Sequence, residues 1–324
     1  MQARYWETKD GQLQCHLCPH NCVIPKGKVG RCGNRINGGN KLYSLNHGNA
    51  VSINCDPVEK KPLYHFMPGT LSLSIGTAGC NLGCMHCQNW EISTAKAGEL
   101  QEYDLPPEVV VQLAIDKGCK SISYTYNEPT IFHEYATDIA KLAKKRGLKN
   151  IIVTNGYINP GPAKEFAELM DAANVDLKAF NDKFYKEICG AKLQPVLETI
   201  KTYKKLWLEI TNLIIDGKND SMQEIEEMCK WIKENVGEHV PLHFSRAFPM
   251  NKMQDIQPTP KETLLKAKST AQKHLNYVYI GNIYIQGTGN TYCPDCAKLV
   301  IDRENLSIAN KTCECGKAIE GIWE

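Results

Sequence analysis

The sequence predicts an α/β protein, built as a partial, open (β/α)6 barrel with small cysteine-rich N-terminal and C-terminal elements. Three observations carry that prediction. Between residues 71 and 286, short apolar runs alternate with helical patterns, which is how repeated βα units and a parallel sheet read in sequence. The units number six or seven, too few to close an eightfold barrel. Most of the 15 cysteines fall into three clusters, two of them outside that alternating region.

The expected strands, in order, are LSLSIG (71–76), SISYTY (121–126), NIIVTN (150–155), NVDLKA (174–179), LWLEITNLII (206–215), VPLHFS (240–245) and YVYIGNI (277–283). Segments between them, such as PPEVVVQLAIDKG and EIEEMCKWIKENVG, have helical periodicity with charged outer faces. Pro106 and Pro107 open one helix, and Gly118 and Gly237 stand near the ends of two. A parallel sheet of this kind gathers ligand groups at the C-terminal strand ends. The expected division is a metal-binding extension over 1–70, the barrel over 71–286 and a zinc-ribbon or rubredoxin-like knuckle over 287–324.

Composition narrows the function. The 324 residues are 42% hydrophobic and 23% charged, as in an ordinary globular protein. A net charge of +2 gives no reason to expect nucleic acid or an acidic membrane surface. The opening MQARYWETKDGQLQC lacks the apolar core of a signal peptide, and no run approaches the roughly 18 apolar residues of a membrane span. A cytoplasmic location with no membrane contact is expected. There, clustered cysteines point to metal rather than disulfides. Cys55, Cys119, Cys189 and Cys229 stand apart and read as buried small hydrophobes.

Cys80, Cys84 and Cys87 are spaced C-x3-C-x2-C just beyond the first barrel strand, with Gly79 and Gly83 to let the loop curl. Three thiolates can hold a [4Fe–4S] cluster and leave one iron open to a small molecule. The bland alternatives are three inert thiols, or a zinc site completed by His86. The triad resembles that of the radical S-adenosylmethionine (SAM) superfamily. The resemblance implies that SAM fills the open place and is reductively cleaved, giving a 5′-deoxyadenosyl radical that abstracts hydrogen from a substrate. It further implies an electron donor such as flavodoxin or ferredoxin.

Other strand ends extend the resemblance. YNEP (126–129) resembles the family's G-G-E-P motif, which assigns Asn127 and Glu128 to SAM, the glutamate accepting from the ammonium. VTNG (153–156) and DLK (176–178) resemble activating enzymes of the pyruvate formate-lyase type. By that likeness Lys178 pairs with the SAM carboxylate, Thr154 and Asp176 flank a cation site, and His243 of HFSR contacts SAM. His86 is placed with the cofactor too. Glu209, Thr211 and Asn212 are polar in an apolar run and are expected to face the cavity.

Cys15, Cys18, Cys22 and Cys32 can close a four-thiolate site, either zinc or a second iron–sulfur cluster. Cys293, Cys296, Cys313 and Cys315 resemble a zinc ribbon or rubredoxin knuckle whose second half is C-x-C. Together with DPVEKKPLYHFMPG (56–69), QNW and TYCPDC, they make the whole chain resemble the AmmeMemoRadiSam-system radical SAM enzymes. That implies AMMECR1-like and MEMO-like proteins as partners. Two further functions stay open: an activase installing a glycyl radical on another enzyme, and a non-catalytic zinc-binding adaptor.

Overall fold

The computed structural model describes residues 1–305, 307–308 and 311–324. Its centre is an eight-stranded sheet. The strands are β1 (Ser52–Pro57), β2 (Leu71–Gly76), β3 (Ser121–Tyr124), β4 (Lys149–Thr154), β5 (Ala172–Asp176), β6 (Trp207–Ile214), β7 (Leu242–Arg246) and β8 (Val278–Gly281). They lie in sequence order across the sheet, and β2 through β8 are parallel. Six crossovers therefore join seven parallel strands, and the two edges do not meet. The barrel is open, as the sequence predicts.

The strand the sequence hides is β1. It pairs antiparallel with β2, from Ser52 opposite Gly76 to Pro57 opposite Leu71. Its residues, SINCDP, are largely polar or exposed and end in proline, which suits an edge but gives no apolar run to read. The sheet thus begins before residue 71.

Six helices cover the outer face: α1 (Pro107–Asp116), α2 (His133–Lys145), α3 (Pro160–Leu169), α4 (Leu193–Tyr203), α5 (Met222–Asn235) and α6 (Lys261–Ala271). Pro107 occupies the first turn of α1, where a missing N–H costs nothing. The helices bury one apolar stripe each, as Tyr135, Ala136, Ile139 and Ala140 do on α2, against the outward side chains of the strands.

The inner face is filled from below by the segment after β1. Val58, Leu63 and Phe66 pack on Ile151 and Ala172, inward residues of β4 and β5. The backbone N–H groups of Tyr64 and His65 donate to the Glu209 carboxylate at 2.9 and 2.8 Å. Residues 58–67 are therefore a plug that forms the barrel floor. The C-terminal lobe braces the plug: Phe66 bridges to Ile322, and Arg303 donates to the Tyr64 carbonyl at 2.6 Å. At the other end of the chain, residues 1–44 form small antiparallel sheets that pack beside the loop following β2. Among the described residues no helix is long and apolar enough to cross a membrane.

Candidate active site

A cavity of about 660 Å³ opens at the C-terminal ends of the parallel strands, and Cys80, Cys84 and Cys87 all line it. They belong to a loop that leaves β2 and is held from several sides. Gly83 N–H donates to the Cys189 carbonyl at 3.0 Å, and Met85 N–H to the Ile188 carbonyl at 2.9 Å. Gly79 has a φ of +94°, and a Cβ there would lie 2.4 Å from the Cys32 carbonyl and from Asn34 Nδ2. Only glycine allows both that conformation and that approach.

Two asparagines to which the sequence assigns no role, one in the loop and one at the end of β4, fix it. Asn81 donates to the Tyr157 carbonyl at 2.7 Å and accepts from Asn155 Nδ2 at 2.9 Å. The same Asn155 amide lies 3.7 Å from the Cys80 sulfur. Cys189, far away in sequence, is the neighbour that draws the Cys84 thiol's pKa down against the effect of burial. Burial, then the Glu128 charge, pushes the Cys80 thiol well up. A bare thiolate is disfavoured at Cys80, and a bound cation would offset this.

His86 lies between two of the cysteines, is buried, and has an Nδ1 with no hydrogen-bond partner. Burial, then the Lys178 charge, lowers its pKa to about 3, so the ring is neutral. Lys178 lines the cavity just past β5 and donates to Asp176 Oδ2 at 2.9 Å. Burial would lower its pKa, but Asp176, Cys84 and Cys189 together raise it well above that of an ordinary lysine. The cavity therefore holds a fixed positive charge beside the cysteine triad.

The structure corrects several expectations. Glu128 is fully buried, and its carboxylate is occupied by this chain: it accepts from Thr130 N–H (2.9 Å), Thr130 Oγ1 (2.6 Å), Thr154 Oγ1 (2.7 Å) and Asn155 N–H (2.8 Å). It clasps the β3 loop to the end of β4 and does not line the cavity. Asn127 does line it, but its amide is spent on Thr77 Oγ1 at 3.2 Å and the Gly79 carbonyl at 2.8 Å. In the YNEP turn the left-handed residue is Tyr126, with φ +72°, so the strain sits on the bulkier side chain.

Thr154 and Asp176 reach the same cavity, each with a partner in this chain. Thr154 donates to Glu128, and Asp176 is paired with Lys178. Asn212 faces outward, donating to the Leu177 carbonyl at 2.7 Å, because its parity on β6 is opposite to that of Thr211 and Leu213, which do line the cavity. His243 shares the inward parity of Ser245 but lies one layer deeper. It bonds Glu209 at 2.6 Å and sits edge-on to Tyr64, beneath the cavity in the floor. Glu209 belongs to that floor as well.

The rim is built from the start of DPVEKKPLYHFMPG (56–69), a segment singled out in the sequence only through the whole-chain resemblance. Asp56 accepts from Lys61 Nζ at 3.0 Å, Lys60 Nζ at 3.2 Å and Tyr126 Oη at 3.0 Å. Although burial opposes it, those partners hold the Asp56 pKa at about 2. Lys61 also lies over the Tyr126 ring, 4.9 Å from its centroid. The charged run 56–61 thus ties β1 to the strained turn at the cavity mouth.

The terminal cysteines form two different arrangements. Among the described residues, Cys293, Cys296, Cys313 and Cys315 bring their sulfurs within 4.8 Å of one another, and so can hold a metal ion. The short C-x-C half still closes the set. Cys15, Cys18, Cys22 and Cys32 are not drawn together in that way, yet all four line one small cavity behind the triad loop.

Residues 74–232 match the family described as the radical SAM superfamily. An uncharacterized protein of Methanocaldococcus jannaschii is 42% identical over 98% of this chain and 97% of its own length. The pyruvate formate-lyase-activating enzyme of Clostridium pasteurianum is 27% identical, over 57% of this chain and 83% of its own. The crystal structure of a radical SAM methyltransferase from Sphaerobacter thermophilus shares the fold, with a TM-score of 0.53 and 15% identity over 72% of this chain and 71% of that one. Cysteine triad, open parallel barrel and these likenesses agree: the chain is an enzyme of the radical SAM superfamily.

Proposed function

We propose that Cys80, Cys84 and Cys87 hold a [4Fe–4S] cluster, and that SAM occupies the cavity beside it with its carboxylate on Lys178. The observation that carries this reading is the convergence of three thiols, a neutral buried imidazole and a charged ammonium on one cavity of about 660 Å³. When bound, the cluster supplies one electron that cleaves SAM to methionine and a radical able to take hydrogen from a substrate.

The chain's own groups do the positioning. Lys178 keeps its charge through Asp176 and offers it to a carboxylate. Because the Glu128 and Asn127 side chains are engaged elsewhere, the ammonium of SAM is assigned to the backbone of Thr125–Asn127, a stretch that lines the cavity and whose Thr125 and Tyr126 carbonyls each already accept one hydrogen bond, from Asn127 N–H and Asn89 Nδ2. Among the described residues, His86 Nδ1 is the one buried side-chain nitrogen or oxygen on the cavity wall without a partner, and it is assigned to the bound cofactor. Asn155 orients the Cys80 sulfur through its amide.

The whole-chain pattern of cysteines supports placement with the AmmeMemoRadiSam-system enzymes, acting in the cytoplasm with AMMECR1-like and MEMO-like proteins as candidate partners. Reduced flavodoxin or ferredoxin is the electron donor proposed. Zinc is proposed at Cys293, Cys296, Cys313 and Cys315, in a lobe whose contacts with the barrel floor make it a brace. A division into an N-terminal lobe, the barrel and this knuckle follows, with residues 52–69 counted with the barrel. Activation of a glycyl radical enzyme is the second reading, supported by the similarity to pyruvate formate-lyase-activating enzymes.

Anaerobically reconstituted protein given dithionite and SAM is expected to release 5′-deoxyadenosine. Full cluster occupancy with no such product would contradict the reading.

A further inference from the structure

The chain carries two four-cysteine sets, and their geometries differ. A single zinc ion with Zn–S bonds of about 2.3 Å needs its sulfurs roughly 4 Å apart. The C-terminal set meets that: Cys293 and Cys315 are 3.6 Å apart, and Cys296 and Cys313 are 3.5 Å apart. The N-terminal sulfurs are not grouped within 4.8 Å of one another, although Cys15, Cys18, Cys22 and Cys32 all line one small cavity of about 20 Å³. Thiolates on the corners of a four-iron cube must stand farther apart than ligands of one ion.

A second observation concerns charge. Arg35 lines the same cavity and is 1% exposed. Its two terminal nitrogens are used on the Arg4 carbonyl and the Glu134 carboxylate, but its Nε–H has no partner. A buried guanidinium N–H left over beside four thiols fits an anionic, sulfur-rich occupant.

Position supplies the rest. None of the four N-terminal cysteines lines the large cavity. They line a separate cavity that also includes Asn81 of the triad loop, and are joined to that loop directly. Asn34 Nδ2 donates to the Ala78 carbonyl at 2.7 Å and to the Cys32 carbonyl at 3.0 Å, and the His20 ring bonds the Asn81 carbonyl at 2.8 Å. A cluster there would have every iron capped by a thiolate and no open place for a substrate.

We propose that Cys15, Cys18, Cys22 and Cys32 hold a second [4Fe–4S] cluster, fully thiolate-ligated, that passes single electrons to the triad cluster. The relay rests on the proposed function of the triad; the cluster itself does not. A reduced flavodoxin or ferredoxin gives one electron to the outer cluster. The outer cluster returns to its oxidised core as the inner one is reduced, and no bond is made or broken.

The test uses the full chain, reconstituted anaerobically with iron and sulfide. Wild type should bind about eight irons, counted by Mössbauer spectroscopy and chemical analysis. A Cys80→Ala/Cys84→Ala/Cys87→Ala variant should keep about four irons with matching acid-labile sulfide, and a Cys15→Ala/Cys32→Ala variant should lose that share. Zinc without iron at the N-terminal cysteines would overturn the proposal, as would a triad variant with no iron beside a wild type with about four. If wild type binds about four irons and the triad variant keeps them all, the outer cluster stands and the triad reading fails instead. With both clusters reduced, the paramagnetic resonance signal should be broadened by spin coupling that disappears in either variant. An unbroadened sum of two independent signals would overturn the relay.

Discussion

The Thr154 hydroxyl donates a 2.7 Å hydrogen bond to the carboxylate of Glu128, a side chain with no exposed surface. With three further donors on the same carboxylate, Glu128 holds the β3 loop against the end of β4 and keeps its charge away from the cavity.

Glu128→Ala should therefore destabilise the protein before any ligand is added. Four donors lose their acceptor, at about 1–3 kcal/mol for each one left buried and unpaired, so a total of roughly 3 kcal/mol or more is expected. Thermal denaturation of the SAM-free protein reads this directly. An unchanged Tm would make Glu128 a ligand contact after all.

His243→Ala should behave in the same way. Burial would raise the Glu209 pKa, but the His243 hydrogen bond and charge outweigh it and hold the carboxyl below its usual range. Removing one partner of such a buried pair typically costs about 3–5 kcal/mol. Because the pair lies in the floor, SAM affinity of the folded fraction should hardly change. A large loss of affinity with an intact Tm would return His243 to the cavity.

Asp56 gives a pH signature. Its folded pKa, about 2, lies below the ordinary 3.8, so the stability it contributes is present above 3.8 and is lost as pH falls toward 2. Wild type should be more stable than Asp56→Asn near neutrality, and the gap should narrow across that acid window. Denaturant titrations at several pH values measure it; a gap that does not change with pH would place the stabilisation elsewhere.

Lys178→Met should retain iron and fold while weakening SAM binding about ten- to a hundredfold, the worth of one charged hydrogen bond. Equilibrium binding to the reconstituted protein decides this. Normal affinity in a variant that has lost iron would make Lys178 a partner of the cysteines rather than of SAM.

The parallel strands were legible because β2 to β8 are short stretches rich in Ile, Val, Leu and aromatic residues set between helical patterns, and the triad because its three ligands are local in sequence. What escaped depends on parity and depth. Asn212 and Thr211 are neighbours, yet one faces the helices and the other the cavity. His243 and Ser245 share a face, but two residues along β7 separate the floor from the cavity wall. Glu128 is at the expected strand end, and no local pattern says that Thr154 and Asn155 will claim its oxygens. Cys189 lies a hundred residues beyond the triad, so no spacing links it to Cys84. The edge strand β1 offers polar residues and a proline where an apolar run would have marked it.

The most direct test is the paramagnetic resonance of the reduced, reconstituted protein with and without SAM. The account predicts a four-iron signal whose shape shifts when SAM binds the open iron, and a Cys80→Ala/Cys84→Ala/Cys87→Ala variant in which every SAM-responsive component is gone. A SAM-dependent shift that survives in that variant would contradict it.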